Sequence, residues 1–544
     1  MTARASSLPG PRLLRYRVAR MSAIALVLIL FAATAGLRLL ADRLRIPLPT
    51  LLVLGGLGVA FIPGLPPLTL DPEAIFLIFI PPLLFSASVT TSLRELRRNQ
   101  RAITLLAVWL VLATTVVVAV VAHKLIPTLP WAVCFVLGAI VSPPDAVAVI
   151  ASTRELTLPS DMVAILEGES LANDATALIA YQVALTAAVS GTFSLPHASL
   201  ELLLASAGGI AIGLATGWCV GWARLRIART SVVENTISLL SPFIAFIPAY
   251  ELGCSGVLAV VAMGLFFGRR GPRVITAETR LQGAAMWEVL TFLLEGLIFI
   301  FIGLELPQVV RALEPGTIAR LVGVAVAIAA AMIVTRILWM FPGAYLPRWL
   351  DGLLGRPTRA YPPWRHVLFG GWAGIRGGDS LVIALALPYV GSHGEPLPGR
   401  AVVIFITFVV ILITLVVQGF TLAPLVRVLG IVGGTREAAE ERLARTGSVR
   451  AGAEALERFA AEEGAESEIA DLRKLAEHKL ARLGDSRGAS SPHLRLRLSM
   501  IAAEREAVIA MRDRNEISDT VMRRLQREFD HEEVLLRQRY GEAP

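Results

Sequence analysis

About thirteen stretches of this chain are long and apolar enough to cross a bilayer, which leaves it few folds. Hydrocarbon offers no partner for a backbone N–H or C=O, so a spanning segment of about 17–25 residues closes its bonds within itself as a helix. The stretches lie at roughly 22–41, 47–64, 71–88, 102–122, 129–151, 162–190, 199–222, 232–251, 254–268, 285–306, 317–341, 366–390 and 400–430. The pattern predicts an all-α polytopic membrane protein with about 13 transmembrane helices.

The charges sort the breaks between these runs. One alternate set holds Arg38, Arg43, Arg45, Arg94, Arg97, Arg98, Arg154, Arg224, Arg226, Arg229, Arg269, Arg270, Arg273, Arg280, Arg348, Arg356, Arg359 and Arg365; the other holds little beyond Lys124, Arg311 and Arg400. Cytoplasmic loops carry the basic excess, so the first set faces inward, the N-terminus lies outside and the C-terminal tail inside. The net charge of +8 is therefore a topology signal and no nucleic-acid patch. Residues 1–20 disagree, because Arg4, Arg12, Arg15, Arg17 and Arg20 resist translocation. Met21 directly precedes the first run, and the expectation is an untranslated extension over 1–21, a transmembrane domain over 22–432 and a cytoplasmic helical region over 433–544. In that last region 436–483 and 495–540 read as two amphipathic helical segments around a breaker at Gly484 to Pro492, with Leu456, Phe459, Leu472, Leu475 and Leu483 as an apolar stripe. Cys134, Cys219 and Cys254 lie in apolar stretches without metal spacing and read as buried small hydrophobes.

Two features are too polar for their depth. The run at 162–190 contains Glu167-Gly168-Glu169-Ser170-Leu171-Ala172-Asn173-Asp174. A carboxylate inside a membrane is expensive and marks a functional site by default. Glu169 and Asn173 are i,i+4 neighbours, as are Ser170 and Asp174, so oxygen ligands for a small hard cation gather on adjoining stripes of one helix. The second feature is a pair of interruptions. Pro143-Pro144-Asp145 removes two backbone donors near the middle of the fifth run, and Gly370-Gly371-Trp372-Ala373-Gly374-Ile375-Arg376-Gly377-Gly378-Asp379 loosens the twelfth. Their separation by seven runs puts them in opposite orientation, the arrangement of inverted repeats with two discontinuous crossing helices. Asp145 and Arg376 then offset the partial charges of the half-helix ends.

With these motifs in this order, together with Ser255-Gly256-Val257-Leu258-Ala259-Val260 and Gly374-Ile375-Arg376-Gly377, the chain resembles a bacterial member of the cation:proton antiporter-1 family, the branch of the NhaP antiporters and sodium/proton exchangers. The resemblance covers roughly residues 22–430. It implies thirteen spans, a homodimer in the bacterial inner membrane and electroneutral exchange of one monovalent cation for one proton. By the same resemblance, Asp174 is the ion- and proton-binding carboxylate, with Asn173 in the place of a second acid; Glu169 pairs with Arg376, and Asp145 is the acid of the broken helix. Asp174, Asn173, Ser170 and Asp145 are thus the candidate cation ligands. The chain departs from the family pattern at Pro144, where a threonine is usual; at Asp379, which stands i+3 from Arg376 and competes with Glu169 for it; and at Glu295, an acid where an amide or apolar residue is usual. Glu295 and Asp379 are therefore accessory candidates. Glu167 is either solvated or part of an ion vestibule, and Glu251 is an interfacial group.

A carboxylate such as Asp174 holds a proton or a cation but not both well, so one group is enough for obligatory exchange. No cofactor is called for; Na+, Li+ or K+ and H+ are cargo, and the chain is no enzyme. Potassium/proton exchange is the alternative within the family. A cation channel would want a symmetric ring of ligands, and an intramembrane hydrolase a nucleophile with its base; neither is legible.

Overall fold

A computed structural model describes residues 11–44, 46–61, 72–91, 93–153, 156, 158–190, 195–226, 230–274, 277–314, 316–355, 360–390, 395–431 and 433, and beyond these 446–447, 451–454, 492–514, 525 and 528–536. The chain divides into two compact units, Met1–Gly434 and Thr435–Pro544. Among the described residues the only extended pairing is an isolated bridge between Val390 and Pro396.

In the first unit each apolar run falls on a helix or a helix pair. The order is α1 (Pro11–Leu44), α2 (Leu48–Ala60), α3 (Pro72–Thr90), α4 (Leu93–Arg98), α5 (Gln100–Thr104) running on through a π-helical stretch (Leu105–Leu110) into α6 (Val111–Leu125), α7 (Trp131–Val141), α8 (Ala146–Ser152), α9 (Ser160–Ser190), α10 (Leu195–Arg226), α11 (Ser231–Glu251), α12 (Gly256–Val274), α13 (Ala277–Arg311), α14 (Ile318–Leu353), α15 (Trp364–Trp372), α16 (Gly378–Leu385), α17 (Arg400–Ile413) and α18 (Gly419–Leu429), the last two joined by a π turn at Thr414–Gln418. By length and composition, six described helices can cross a membrane, and a seventh span is the pair Trp131–Val141 and Ala146–Ser152, bent by 42°. Helix α1 runs through Met21 without interruption. Cys134 is buried as expected, but Cys219 lies exposed on α10.

The helices touch where side chains are smallest. Gly56 of α2 lies against the Ile300 carbonyl of α13, and Gly303 of α13 against the Val53 carbonyl of α2, with no room for a Cβ at either place. Such close approach is how helices pack when lipid supplies no hydrophobic drive between them. Around these crossings a continuous apolar core forms, with Leu52, Leu137, Ile140, Met263, Ile300, Ile328, Phe369 and Leu387 fully buried.

Both predicted interruptions are present. Helix α7 ends at Val141, four residues follow, and α8 starts at Ala146. Helix α15 ends at Trp372 and α16 begins at Gly378, after a Gly377 whose backbone is fully extended. The prolines end the first half-helix by removing donors, and the glycines release the second.

In the second unit, α19 (Pro492–Asp513) buries Ile501 and Val508, seven positions apart on one face. The expected stripe from Leu456 to Leu483 and the breaker at Gly484 lie outside the described residues.

The α2–α13 crossing has a direct test. Gly303→Val forces a side chain onto backbone, a form of overpacking that costs about 1–3 kcal/mol or more. It should sharply lower the yield of monodisperse protein in detergent. Gly36→Val, where no atom stands within 4 Å of the new Cβ, should leave the yield unchanged.

Candidate functional site

The two broken helices meet at Asp145. Its backbone N–H donates to the Ile375 carbonyl at 2.8 Å, tying the first break to the second. Its carboxylate caps α8, with Oδ1 accepting from the Val147 N–H at 2.7 Å and the Ala148 N–H at 3.4 Å. The other oxygen lies against Gly377, so closely that a Cβ there would collide with it. Gly377 is the N-cap of α16 and brings no capping side chain of its own. One carboxylate thus serves the positive ends of both half-helices, which explains a glycine at one cap and an acid at the other.

The polar turn of α9 lies on this crossing. Asn173 is fully buried; its Nδ2 donates to the Pro144 carbonyl at 3.0 Å while its Oδ1 has no partner. Ser170 Oγ accepts from the Ala146 N–H at 3.3 Å. The carbonyl and the N–H freed by the break are therefore both satisfied by one turn of α9, as backbone at membrane depth requires. Pro144, where the family's usual threonine is missing, contributes its carbonyl to this clamp. Asp174, the next residue, is half-buried, and among the described residues it has neither a hydrogen bond nor a basic partner.

Three further acids share this neighbourhood. Asp145 and Asp379 act electrostatically on Asp174, and Asp145 and Asp379 on Glu295. Packing agrees, because Ile298, one turn beyond Glu295 on α13, fills the space beside Gly378. Asp379 stands in the first turn of α16. Glu167 is exposed, and Glu251 is exposed at the end of α11. Among the described residues no three His, Cys, Asp or Glu side chains are close enough to hold a metal ion as a group.

The ion pair expected between Glu169 and Arg376 is not formed. Glu169 is bidentate with Arg336 of α14: Nη2 donates to Oε2 at 2.8 Å, Nη1 donates to Oε1, and both side chains are nearly inaccessible, at 2% and 3% exposure. Arg336 Nε also donates to the Gly370 carbonyl at 2.9 Å. Arg376 instead turns back onto its own break, Nη1 donating to the Gly374 carbonyl at 2.9 Å, with its Nε buried and unpartnered. Its backbone N–H donates to Thr414 Oγ1 at 3.2 Å. The competing pair of Arg376 with Asp379 is not formed either. The physical reason is position. Arg376 lies in the break between α15 and α16, where the freed Gly374 carbonyl accepts from it, while the fork of Arg336 projects from a neighbouring helix. Arg336 was noticeable: it lies deep in the apolar run at 317–341, whose other arginine, Arg320, stands near the start, and an intramembrane charge needs a partner.

A family model described as "Sodium/hydrogen exchanger, transmembrane" matches residues 27–428. An uncharacterized Na+/H+ exchanger of Mycobacterium tuberculosis is 36% identical over 527 residues, covering 94% of this chain and 96% of the relative. A sodium, potassium, lithium and rubidium/H+ antiporter of Bacillus subtilis is 31% identical over 511 residues, 90% of this chain and 74% of the relative. The solved sodium proton antiporter MjNhaP1 from Methanocaldococcus jannaschii at pH 8 shares the fold, with a TM-score of 0.57 at 19% identity, over 75% of this chain and 99% of that one.

A double-mutant cycle tests the pairing. Glu169→Gln and Arg336→Ala should each destabilise the purified protein by about 3–5 kcal/mol, because each leaves a buried charge alone. The double variant should lose clearly less than the sum, whereas Glu169→Gln with Arg376→Ala should show much the smaller coupling. Thermal unfolding in detergent reads both.

Proposed function

The chain belongs to the sodium/hydrogen exchanger family, and from that premise we propose that it exchanges Na+ or Li+ for H+ across the bacterial inner membrane by alternating access, with Asp174 as the group that trades one for the other. The observation that carries this reading is an unpaired, half-buried carboxylate one residue beyond the clamp that holds the first broken helix. The other polar side chains of that turn are engaged: Glu169 with Arg336, and Ser170 and the Asn173 amide nitrogen with the backbone of the break.

In the scheme, Asp174 binds either a proton or a partly dehydrated cation. Asn173 Oδ1, Ser170 Oγ and Asp145 supply further oxygens without a second exchanging acid. Only the two loaded forms cross between the inward- and outward-open states, because an empty carboxylate would carry bare charge through the bundle. One cation then moves against one proton and the cycle is electroneutral. Glu295 and Asp379 are accessory acids that tune the field around Asp174, and Glu167 belongs to the ion's vestibule. A homodimer with thirteen spans, an inward C-terminal region and a role in pH homeostasis complete the reading; the basic loops support the orientation. Potassium exchange is the second reading, favoured by the potassium named among the cations of the Bacillus subtilis relative.

Proteoliposomes with an internal pH dye test this. Na+, Li+, K+ and Rb+ are added in turn; dequenching by Na+ and Li+ alone supports the first reading, and equal response to K+ the second. Asp174→Asn should abolish exchange with the protein still inserted. A residual rate above about one-tenth of wild type, roughly 1.4 kcal/mol in barrier terms, would move the carrier role to Asp145 or Glu295. Electroneutrality is tested separately: a valinomycin-imposed potential should leave the initial rate unchanged.

A further inference from the structure

The clamp on the first break has a twin on the second. Gln418, buried to 1% exposure, donates from Nε2 to the Trp372 carbonyl at 2.8 Å, and its Oε1 has no partner. Asn173 does the same to Pro144, donating through its amide nitrogen and leaving its amide oxygen unpartnered. Thr414 Oγ1 accepts from the Arg376 N–H, as Ser170 Oγ accepts from the Ala146 N–H. In each case a hydroxyl takes an N–H released by the break, and an amide four or three residues later takes a released carbonyl.

The twins also occupy matching places in the chain. Asn173 lies on the span directly after the first broken span, and Gln418 on the span directly after the second. The spacing differs by one residue, and the structure shows why. Thr414 and Gln418 bound the π turn Thr414–Gln418, which inserts one residue into the helix, while Ser170 and Asn173 sit on regular α-helix. A π turn inside an α-helix is rare and marks places where a side chain is re-aimed. The position after the amide differs too: it is Asp174 in the first half and Gly419 in the second. The second half keeps the clamp without the carboxylate.

We propose that Gln418 is a positioning residue for ion exchange: by fixing the Trp372 carbonyl it holds the second broken helix at the crossing, and through the crossing it sets the cation affinity of the site on α9. The coupling path is short. Trp372 closes α15, Ile375 accepts from the Asp145 N–H, Gly377 abuts the Asp145 carboxylate, and Asp145 stands beside the Ser170–Asn173 turn. Within the break the Trp372 carbonyl also accepts from the Gly374 N–H at 2.8 Å, and the Trp372 indole Nε1 donates to Thr421 Oγ1 at 2.8 Å, so Gln418 is the tie that joins this carbonyl to the following span. If Gln418 lets go, the second break shifts, and Asp145 shifts with it.

The inference rests on the exchange reading above, and the test separates the two. Gln418→Leu keeps the volume and removes the amide. Its apparent KM for the cation that wild type carries should rise about fivefold, which is about 1 kcal/mol and the weight of one hydrogen bond, with the rate at saturating cation changed less than about twofold. Thr414→Val should move KM the same way, and Thr414→Ser should restore it, because only the hydroxyl is asked for. Should Gln418→Leu insert poorly, the Thr414 pair decides. Wild-type KM in both Gln418→Leu and Thr414→Val, with only fewer molecules inserted, overturns the proposal and leaves exchange at Asp174 standing. Exchange that survives Asp174→Asn overturns the reading beneath it.

Discussion

Everything at the centre of this molecule depends on backbone that has left its helix inside the membrane. Two breaks expose carbonyls and N–H groups where no water is at hand, and each group needs a protein partner. Asp145 answers part of that need twice over, capping α8 with one oxygen and standing at the N-cap of α16 with the other. The rest is supplied by side chains aimed from intact helices: Ser170 and Asn173 from α9, Arg336 from α14, and Thr414 and Gln418 from the π turn. Removing such a partner leaves a buried polar group unmet, so the polar positions of these spans are constrained for structural reasons before any ion arrives.

Within that frame the turn from Glu169 to Asp174 has two jobs separated by a few ångströms. Glu169 bonds outward to Arg336, which in turn holds the Gly370 carbonyl, so the turn is fastened to the second broken helix as well as the first. What remains unfastened is the Asp174 carboxylate. On the proposed exchange reading, this turn combines a rigid surround with one group free to change partners.

The helical plan, the two interruptions and the polar turn of α9 were legible in the sequence because each breaks a strong local rule. Pro143-Pro144 cannot continue a helix, five glycines in nine positions do not hold one, and carboxylates do not enter lipid without cause. The sequence showed that Arg336 needs a partner, but not that the partner is Glu169. Motif order points to Arg376, but pairing is decided by which guanidinium faces the carboxylate across helices, and 167 residues separate Glu169 from Arg336. The matching of Asn173 with Gln418 was hidden for a related reason. The π turn shifts the spacing by one residue and glycine replaces the acid, so little similarity is left to read along the chain.

The inaccessibility of the Glu169–Arg336 pair has a consequence for the conditions this protein works in. Dissolved ions weaken a charge pair by gathering around it, with a reach of about 8–10 Å at ordinary ionic strength, and they do so only where solvent enters. At 2% and 3% exposure the pair admits almost none. The strut that fastens this turn of α9 therefore keeps its strength in brine and in dilute medium alike.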